Sequence, residues 1–333
     1  MRPTLRQLQY IVAVSETGRF HEAAKRPHVS QPSLSAQIAD VEQQLGVQLF
    51  ERGRNGALMT SHGEEFVRRA RLILRDVEDL KASMKTGDGA LAGRIRLGVL
   101  PSVGPYLLPA VVKDLHRTYP QLRLIVEEHW TAHLNTQLLD GTLDCIISTP
   151  EDHKDMASEL LFEEHLWICA APDDELAGSG PVQPKDLSGR EILSVGQSQR
   201  LSAAVRDLAD RAGAEVGTVF TGTSLDAIRH MSATGAGIAI LPAIYALSEA
   251  SRDADLVLRP LQDSKVKRRV ALIWRQTSPM SESFGLMADI LREDALTILK
   301  DDLHCRSVYP KQELRFKGQA WTKAHATIDP ACS

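Results

Sequence analysis

A chain of 333 residues with 43% hydrophobic and 25% charged side chains has core enough for two or three domains, which excludes wholesale disorder and a fibrous repeat. Its four cysteines (Cys145, Cys169, Cys305, Cys332) are too few and too scattered for a disulfide scaffold, and no C-x-x-C is present for a zinc ribbon or a thioredoxin-type motif. The net charge of −4 hides an asymmetry: residues 1–86 carry +3, residues 87–300 carry −8 and the last 33 carry +1. A basic head on an acidic body predicts that only the head meets a polyanion.

The N-terminus lacks the basic-then-apolar pattern of a secretory leader, which predicts a cytoplasmic protein. The longest charge-free run, Met231–Ser248, reaches membrane-spanning length, but Gly235, Gly237 and Pro242 interrupt it. It reads as a buried strand flanked by two helical pieces.

Along the head, Leu5, Leu8, Ile11 and Val12 fall at helical spacing and Gly18 ends that helix. Phe20, Ala23 and Ala24 begin a compact second helix whose small residues let another helix cross closely. Ser30 is placed to cap a third, with Pro32 in its first turn and Leu34, Ile38, Val41 and Leu45 as its inward stripe. Two short helices joined by a tight turn make a helix-turn-helix pattern. Residues 49–61, with Arg52 and Arg54 at the tip, read as a basic hairpin or wing.

Ser61-x-x-Glu64 predicts a capping box opening a long helix. Its apolar residues Phe66, Ala70, Ile73, Val77, Leu80 and Met84 repeat at intervals of 4, 3, 4, 3 and 4, a heptad seam in a charged surround. A dimer coil explains the narrow stripe better than packing within one domain. Thr86-Gly87-Asp88-Gly89 marks the boundary. Beyond it, strand-like and helical stretches alternate, predicting an α/β body with mainly parallel strands. We expect a winged helix-turn-helix domain over 1–61, a linker helix over 62–87 and a two-lobed body over 91–300. Lobe I takes 91–164 and 268–300, lobe II takes 165–267, and the chain crosses between them near 163–166 and 264–270. Residues 301–333 read as a poorly ordered extension.

Phe20-His21-Glu22-Ala23-Ala24, then Val29-Ser30-Gln31-Pro32-Ser33-Leu34-Ser35, then Leu45-Gly46-Val47-Gln48-Leu49-Phe50-Glu51-Arg52 resemble the LysR-type transcriptional regulators, and the resemblance extends over about residues 4–298. It implies a winged head, a linker helix and two periplasmic-binding-protein-like lobes. Leu100–Pro109, Leu143-Asp144-Cys145, Thr223-Ser224-Leu225-Asp226 and Gly235-Ala236-Gly237-Ile238 with Leu241-Pro242 are similar to the hydrogen-peroxide-sensing OxyR branch. Two departures stand out. Pro27 occupies a position where relatives carry a larger apolar residue, which predicts a shortened second helix. The resemblance also places a reactive and a resolving cysteine where this chain, aligned through Gly189 and Leu201, holds Arg200 and Ala209. Neither can form a sulfenate or a disulfide, so a thiol switch at those positions is not expected.

The recognition helix would present Ser30, Gln31, Pro32, Ser33, Ser35 and Gln37 to the major groove, Gln31 being suited to a bidentate contact with adenine. Arg52 and Arg54 suit phosphate or minor-groove contact; for any one of these residues a solvated surface role is the alternative. A dimer would read an inverted repeat in double-stranded DNA, as a homodimer or homotetramer, with RNA polymerase a possible partner and no membrane involved. The resemblance places a small-molecule effector between the lobes. Ser102 faces a helix N-terminus there, Thr131 and Thr223 carry over, and Thr149, Gln199 and Arg200 are neighbours. Each hydroxyl could instead be an ordinary helix cap, while Arg200 would favour an anionic effector.

Cys145 and Cys169 lie in apolar strands and read as buried structural thiols. His129 and His133 have i, i+4 spacing, but a strand end and a helix need not bring them face to face, so no metal and no cofactor is expected. Neither a G-x-S-x-G, a P-loop nor a G-x-G-x-x-G is present, which counts against an enzyme. A solute-binding protein, suggested by the lobes alone, is disfavoured by the head and coil.

Overall fold

A computed structural model of the chain describes residues 3–53, 56–83, 91, 93–195, 199–222, 224–252, 255–263 and 266–301. In the head, α1 (Leu5–Thr17), α2 (Phe20–Lys25) and α3 (Gln31–Leu45) are followed by a hairpin of β1 (Phe50–Gly53) and β2 (Gly56–Met59) and by α4 (Ser61–Ser83). Gly18 caps α1 in the left-handed region and Ser30 caps α3, accepting from the Ser33 amide at 3.3 Å. Helix α2 stops at Lys25, and His28 in the turn that follows holds a φ of 53°. Ala23 and Ala24 are buried where α2 crosses its neighbours, in a small core built on Ile11, Val14, Leu34, Ile38 and Leu49. Leu5 and Leu45, assigned by spacing to inward stripes, are exposed: each is the terminal residue of its helix and projects beyond this core.

The start of α4 also corrects the sequence reading. Ser61 is already helical, and Thr60 is the cap, its hydroxyl accepting from the Gly63 amide at 3.0 Å and donating to the Gln48 carbonyl at 2.7 Å. The helix end abuts β1 so closely that a Cβ on Gly63 would lie 2.1 Å from the Leu49 carbonyl oxygen. That close docking fixes the entry point one residue earlier than the Ser-x-x-Glu pattern implies.

The body is one long mixed sheet in the order β4-β3-β5-β11-β6-β9-β7-β8, with β10 (Val257–Pro260) also paired to β6. Lobe I contains β3 (Gly93–Val99), β4 (Leu122–Glu128) and β5 (Cys145–Ser148), all parallel, with α5 (Gly104–Thr118) and α6 (Thr131–Leu139). Lobe II contains β7 (Glu191–Val195), β8 (Glu215–Gly222) and β9 (Ile238–Pro242), again parallel, with α7 (Gln199–Ala212), α8 (Leu225–Ala233) and α9 (Ala243–Ser248). The remaining strands are antiparallel. Two of them, β6 (Ala157–Ala170) and β11 (Lys267–Trp274), form the crossover, and α10 (Ser281–Ile298) closes the body against lobe I. β6 pairs with β11 over its first part and with β9 over its last, so one strand belongs to both lobes. Residues 163–166 lie within β6, and β11 begins at Lys267.

Met231–Ser248 is the end of α8, a glycine turn, the buried strand β9 and α9. Among the described residues no helix is long and apolar enough to cross a membrane. The boundary motif 86–89, Met84, and the extension from 302 onward lie outside the described residues.

Candidate DNA interface and effector cleft

The first turn of α3 is the exposed end of an otherwise anchored helix. Ser30, Gln31, Pro32, Ser33 and Gln37 are exposed and Ser35 is half-buried, while Leu34, Ile38 and Val41 between them are fully buried. A helix held on one face presents the other at a fixed angle, as groove reading requires. The hairpin is fixed beside it. Glu42 on α3 accepts from the Leu49 and Phe50 amides at 2.7 and 3.1 Å, and the Ala57 amide donates to the Gly18 carbonyl at 2.8 Å. Glu42 was not singled out from sequence; a carboxylate eight residues before a strand start carries no local signature. Arg54 and the Arg52 side chain lie outside the described residues.

The heptad stripe divides. Ala70 is buried within its own chain and Phe66 and Val77 are half-buried, but Ile73 is 46% exposed and Leu80 61%. On another face α4 seats on lobe I. Arg75 lies 3.2 Å from the Asp144 carboxylate and donates to the Thr142 carbonyl at 2.9 Å, and Leu72 packs where a Cβ on Gly141 would lie 2.5 Å away.

At the crossover, Glu164 on β6 and Arg268 on β11 are in register and both buried. Arg268 Nε donates to Glu164 Oε1 at 2.6 Å and its Nη1 to the Ser102 hydroxyl at 2.7 Å, while Glu164 Oε2 accepts from the Ile244 amide at 2.8 Å. Ser102 is thus buried and tied to the crossover, and it does not cap α5. Thr131 is the first residue of α6 and Thr149 precedes the short turn Pro150–Asp152; neither side chain caps its helix. The cap alternative therefore fails for all three hydroxyls. Arg200, at the start of α7 in lobe II, reaches Asp152 of lobe I, Nε to Oδ1, at 2.5 Å. Among the described residues Thr149 is linked to Arg200 only through Asp152, whose amide donates to the Thr149 carbonyl at 3.1 Å. Thr223 and the Gln199 side chain lie outside the described residues.

Beside the turn, His153 is buried between Asn135 Oδ1 and the Ser148 hydroxyl, each at 3.1 Å. Burial pushes its pKa down, opposed by Asp152 and reinforced by Arg200. Neither His153 nor Asn135 stood out in the sequence, because a His-to-amide contact 18 residues apart has no spacing signal. Cys145 and Cys169 are fully buried and in no disulfide among the described residues, and burial, then Asp144, holds the Cys145 thiol well above its ordinary pKa. Ala209 is buried in α7. His129 and His133 do meet, their rings 4.3 Å apart, because α6 begins immediately after the strand; among the described residues no group of three or more metal-binding side chains forms.

Residues 5–64 match the bacterial regulatory helix-turn-helix family of the LysR type, and residues 88–296 match the LysR substrate-binding domain. The chain belongs to the LysR family of bacterial transcription regulators. It is a DNA-binding regulator and not an enzyme. Among its relatives, the hydrogen peroxide-inducible genes activator of Pectobacterium carotovorum is 37% identical over 290 residues, 87% of this chain and 96% of the relative. The dual regulator OxyR of Escherichia coli K12 is 35% identical over 86% of this chain and 94% of its own. A full-length OxyR variant from Pseudomonas aeruginosa superposes with a TM-score of 0.70 at 31% identity, covering 87% of this chain and 98% of its own. The OxyR-like character of this LysR regulator is therefore spread over head and body alike.

Proposed function

We propose that this LysR regulator binds a promoter inverted repeat as a homodimer or a dimer of dimers in the cytoplasm, and that a small anionic effector between the lobes changes its grip on DNA. Gln31, Ser33 and Gln37 would read bases while Ser30, Pro32, Ser35, Arg52 and Arg54 position the helix and wing. Activation through RNA polymerase contact and repression by occluding the promoter are both compatible with this reading. The exposed Ile73 and Leu80 support a partner helix on the linker, with Phe66, Ala70, Val77 and Met84 flanking it.

The observation that carries the effector reading is the Arg200–Asp152 bridge. It joins the lobes where peroxide sensors are expected to hold their reactive thiol, and an anion that displaces Asp152 from Arg200 would alter lobe closure. Thr131, Thr149, Thr223, Gln199 and Ser102 would supply the hydrogen bonds. Relatives named for hydrogen peroxide suggest oxidative signals as the first to try; Arg200 and Ala209, which stand where the resemblance places the sensor cysteines, can form neither a sulfenate nor a disulfide, so the reading is recognition without a thiol switch at those positions.

The test is a thermal-shift screen of small anions, aromatic acids and peroxide on the full chain, followed by gel shifts on its own promoter region. A ligand that shifts wild type but not Arg200→Gln, and changes DNA affinity, supports the reading. Ligand affinity unchanged by Arg200→Gln contradicts it. Peroxide that acts only through an oxidised cysteine contradicts the non-thiol part.

A further inference from the structure

Where α4 passes lobe I, it leaves a cleft of about 1060 Å³ against the β3–β4 edge of the sheet. That is slightly above the usual range of small-molecule sites, about 300–1,000 Å³. Five arginines line it, Arg71 and Arg75 from α4, Arg94 and Arg96 from β3 and Arg123 from β4, against three glutamates. Three of the arginines are already matched. Arg75 faces Asp144 at 3.2 Å, Arg96 lies 3.9 Å from the same carboxylate, and Arg71 stands between Glu16 at 3.7 Å and Asp140 at 3.8 Å.

Arg94 and Arg123 differ. They are direct partners in the parallel register of β3 and β4, both are exposed, and neither makes an ion pair or side-chain hydrogen bond among the described residues. Neighbouring strands are about 4.8 Å apart, so two like charges abreast repel unless an anion lies between them. Guanidinium forks match phosphate oxygens two at a time.

We propose that this cleft is a binding site for a phosphate-bearing small molecule, its phosphate held between Arg94 and Arg123 and its remainder lying along α4. The site is separate from the interlobe cleft. Arg94 and Arg123 stand at the starts of β3 and β4, whereas Ser102 and Thr131 follow their ends, roughly 16 Å away at about 3.3 Å per residue. A ligand here touches lobe I and the linker helix at once, so its occupancy ties the body to the head's support. The proposal stands whether or not the interlobe cleft takes an effector.

The probe is inorganic pyrophosphate, titrated calorimetrically into the full chain without DNA, with acetate at matched ionic strength as the singly charged control. Wild type is expected to bind pyrophosphate saturably and acetate not at all. The double variant Arg94→Gln/Arg123→Gln is expected to weaken binding at least about tenfold, while Arg200→Gln and Arg52→Gln bind as wild type does. Both substituted strand positions are exposed, and a melting curve confirms that the double variant folds. No saturable binding by wild type, equal binding by the double variant, acetate binding as tightly, or loss in Arg200→Gln or Arg52→Gln would each overturn the proposal.

Discussion

Arg268 and Glu164 face each other in register on the two strands that pass between the lobes, and the Arg268 guanidinium also holds the Ser102 hydroxyl. One buried pair therefore joins the crossover to the segment leading into α5 and, through the Ile244 amide, to α9 of the other lobe. A buried ion pair repays its desolvation only when both partners remain and their other hydrogen-bonding positions are filled. Here the filling groups come from both lobes.

Glu164→Gln should accordingly destabilise the body by about 3–5 kcal/mol, because Arg268 stays buried without its carboxylate. The double variant Glu164→Leu/Arg268→Met should unfold at higher urea than the single variant, since no charge is left stranded. Urea titration followed by circular dichroism checks both, and a single-variant loss below about 1 kcal/mol would mean the pair is not the anchor described.

His153 gives the body a pH dependence of definite sign. In the unfolded chain its imidazole titrates near the ordinary value of about 6.5; in the folded chain burial between Asn135 and Ser148 lowers that value. Between the two values the unfolded state carries the extra proton. Stability is then full above about pH 6.5 and declines as pH falls through that value. Tm measured from neutral to mildly acidic buffer should drop in wild type and drop less in His153→Gln; parallel curves would remove His153 as the cause.

Ser30 serves the fold and the interface at once. Ser30→Ala removes the cap on the Ser33 amide and should cost the head about 1 kcal/mol. Ser30→Asp keeps a capping oxygen and suits the helix dipole, yet sets a negative charge against DNA phosphates. It should melt like wild type and bind DNA more weakly. Equal DNA affinity for Ser30→Asp would move the interface away from this turn.

The periodic elements were legible in the sequence because their causes are local. The α3 cap, Gly18, the glycine turn before β9 and the four-residue strand Cys145–Ser148 follow from neighbours within a few residues. What escaped depends on distance along the chain. Glu42 reaching Leu49, His153 meeting Asn135, Arg268 meeting Glu164 and the shift of the α4 cap from Ser61 to Thr60 are set by tertiary docking. The effector cleft was legible as a list of hydroxyls and one cation. That the cation would already hold Asp152, and that Ser102 would already hold Arg268, was not.

Ile73 and Leu80 test the seam. Both are exposed along α4, so Ile73→Lys/Leu80→Lys should leave the monomer's melting behaviour intact while sedimentation shows a smaller particle. An unchanged assembly would place the dimer contact on another surface.

The central claim is that the exposed first turn of α3 reads DNA, and fluorescence anisotropy with the full chain and Gln31→Ala tests it most directly. Each protein is titrated into its own promoter's inverted repeat and into a scrambled duplex at two salt concentrations. Loss of one bidentate base contact should weaken specific binding by about tenfold or more, leaving scrambled-duplex affinity and the salt slope nearly unchanged. Equal specific affinity for wild type and Gln31→Ala would contradict the assignment of α3 as the reading element.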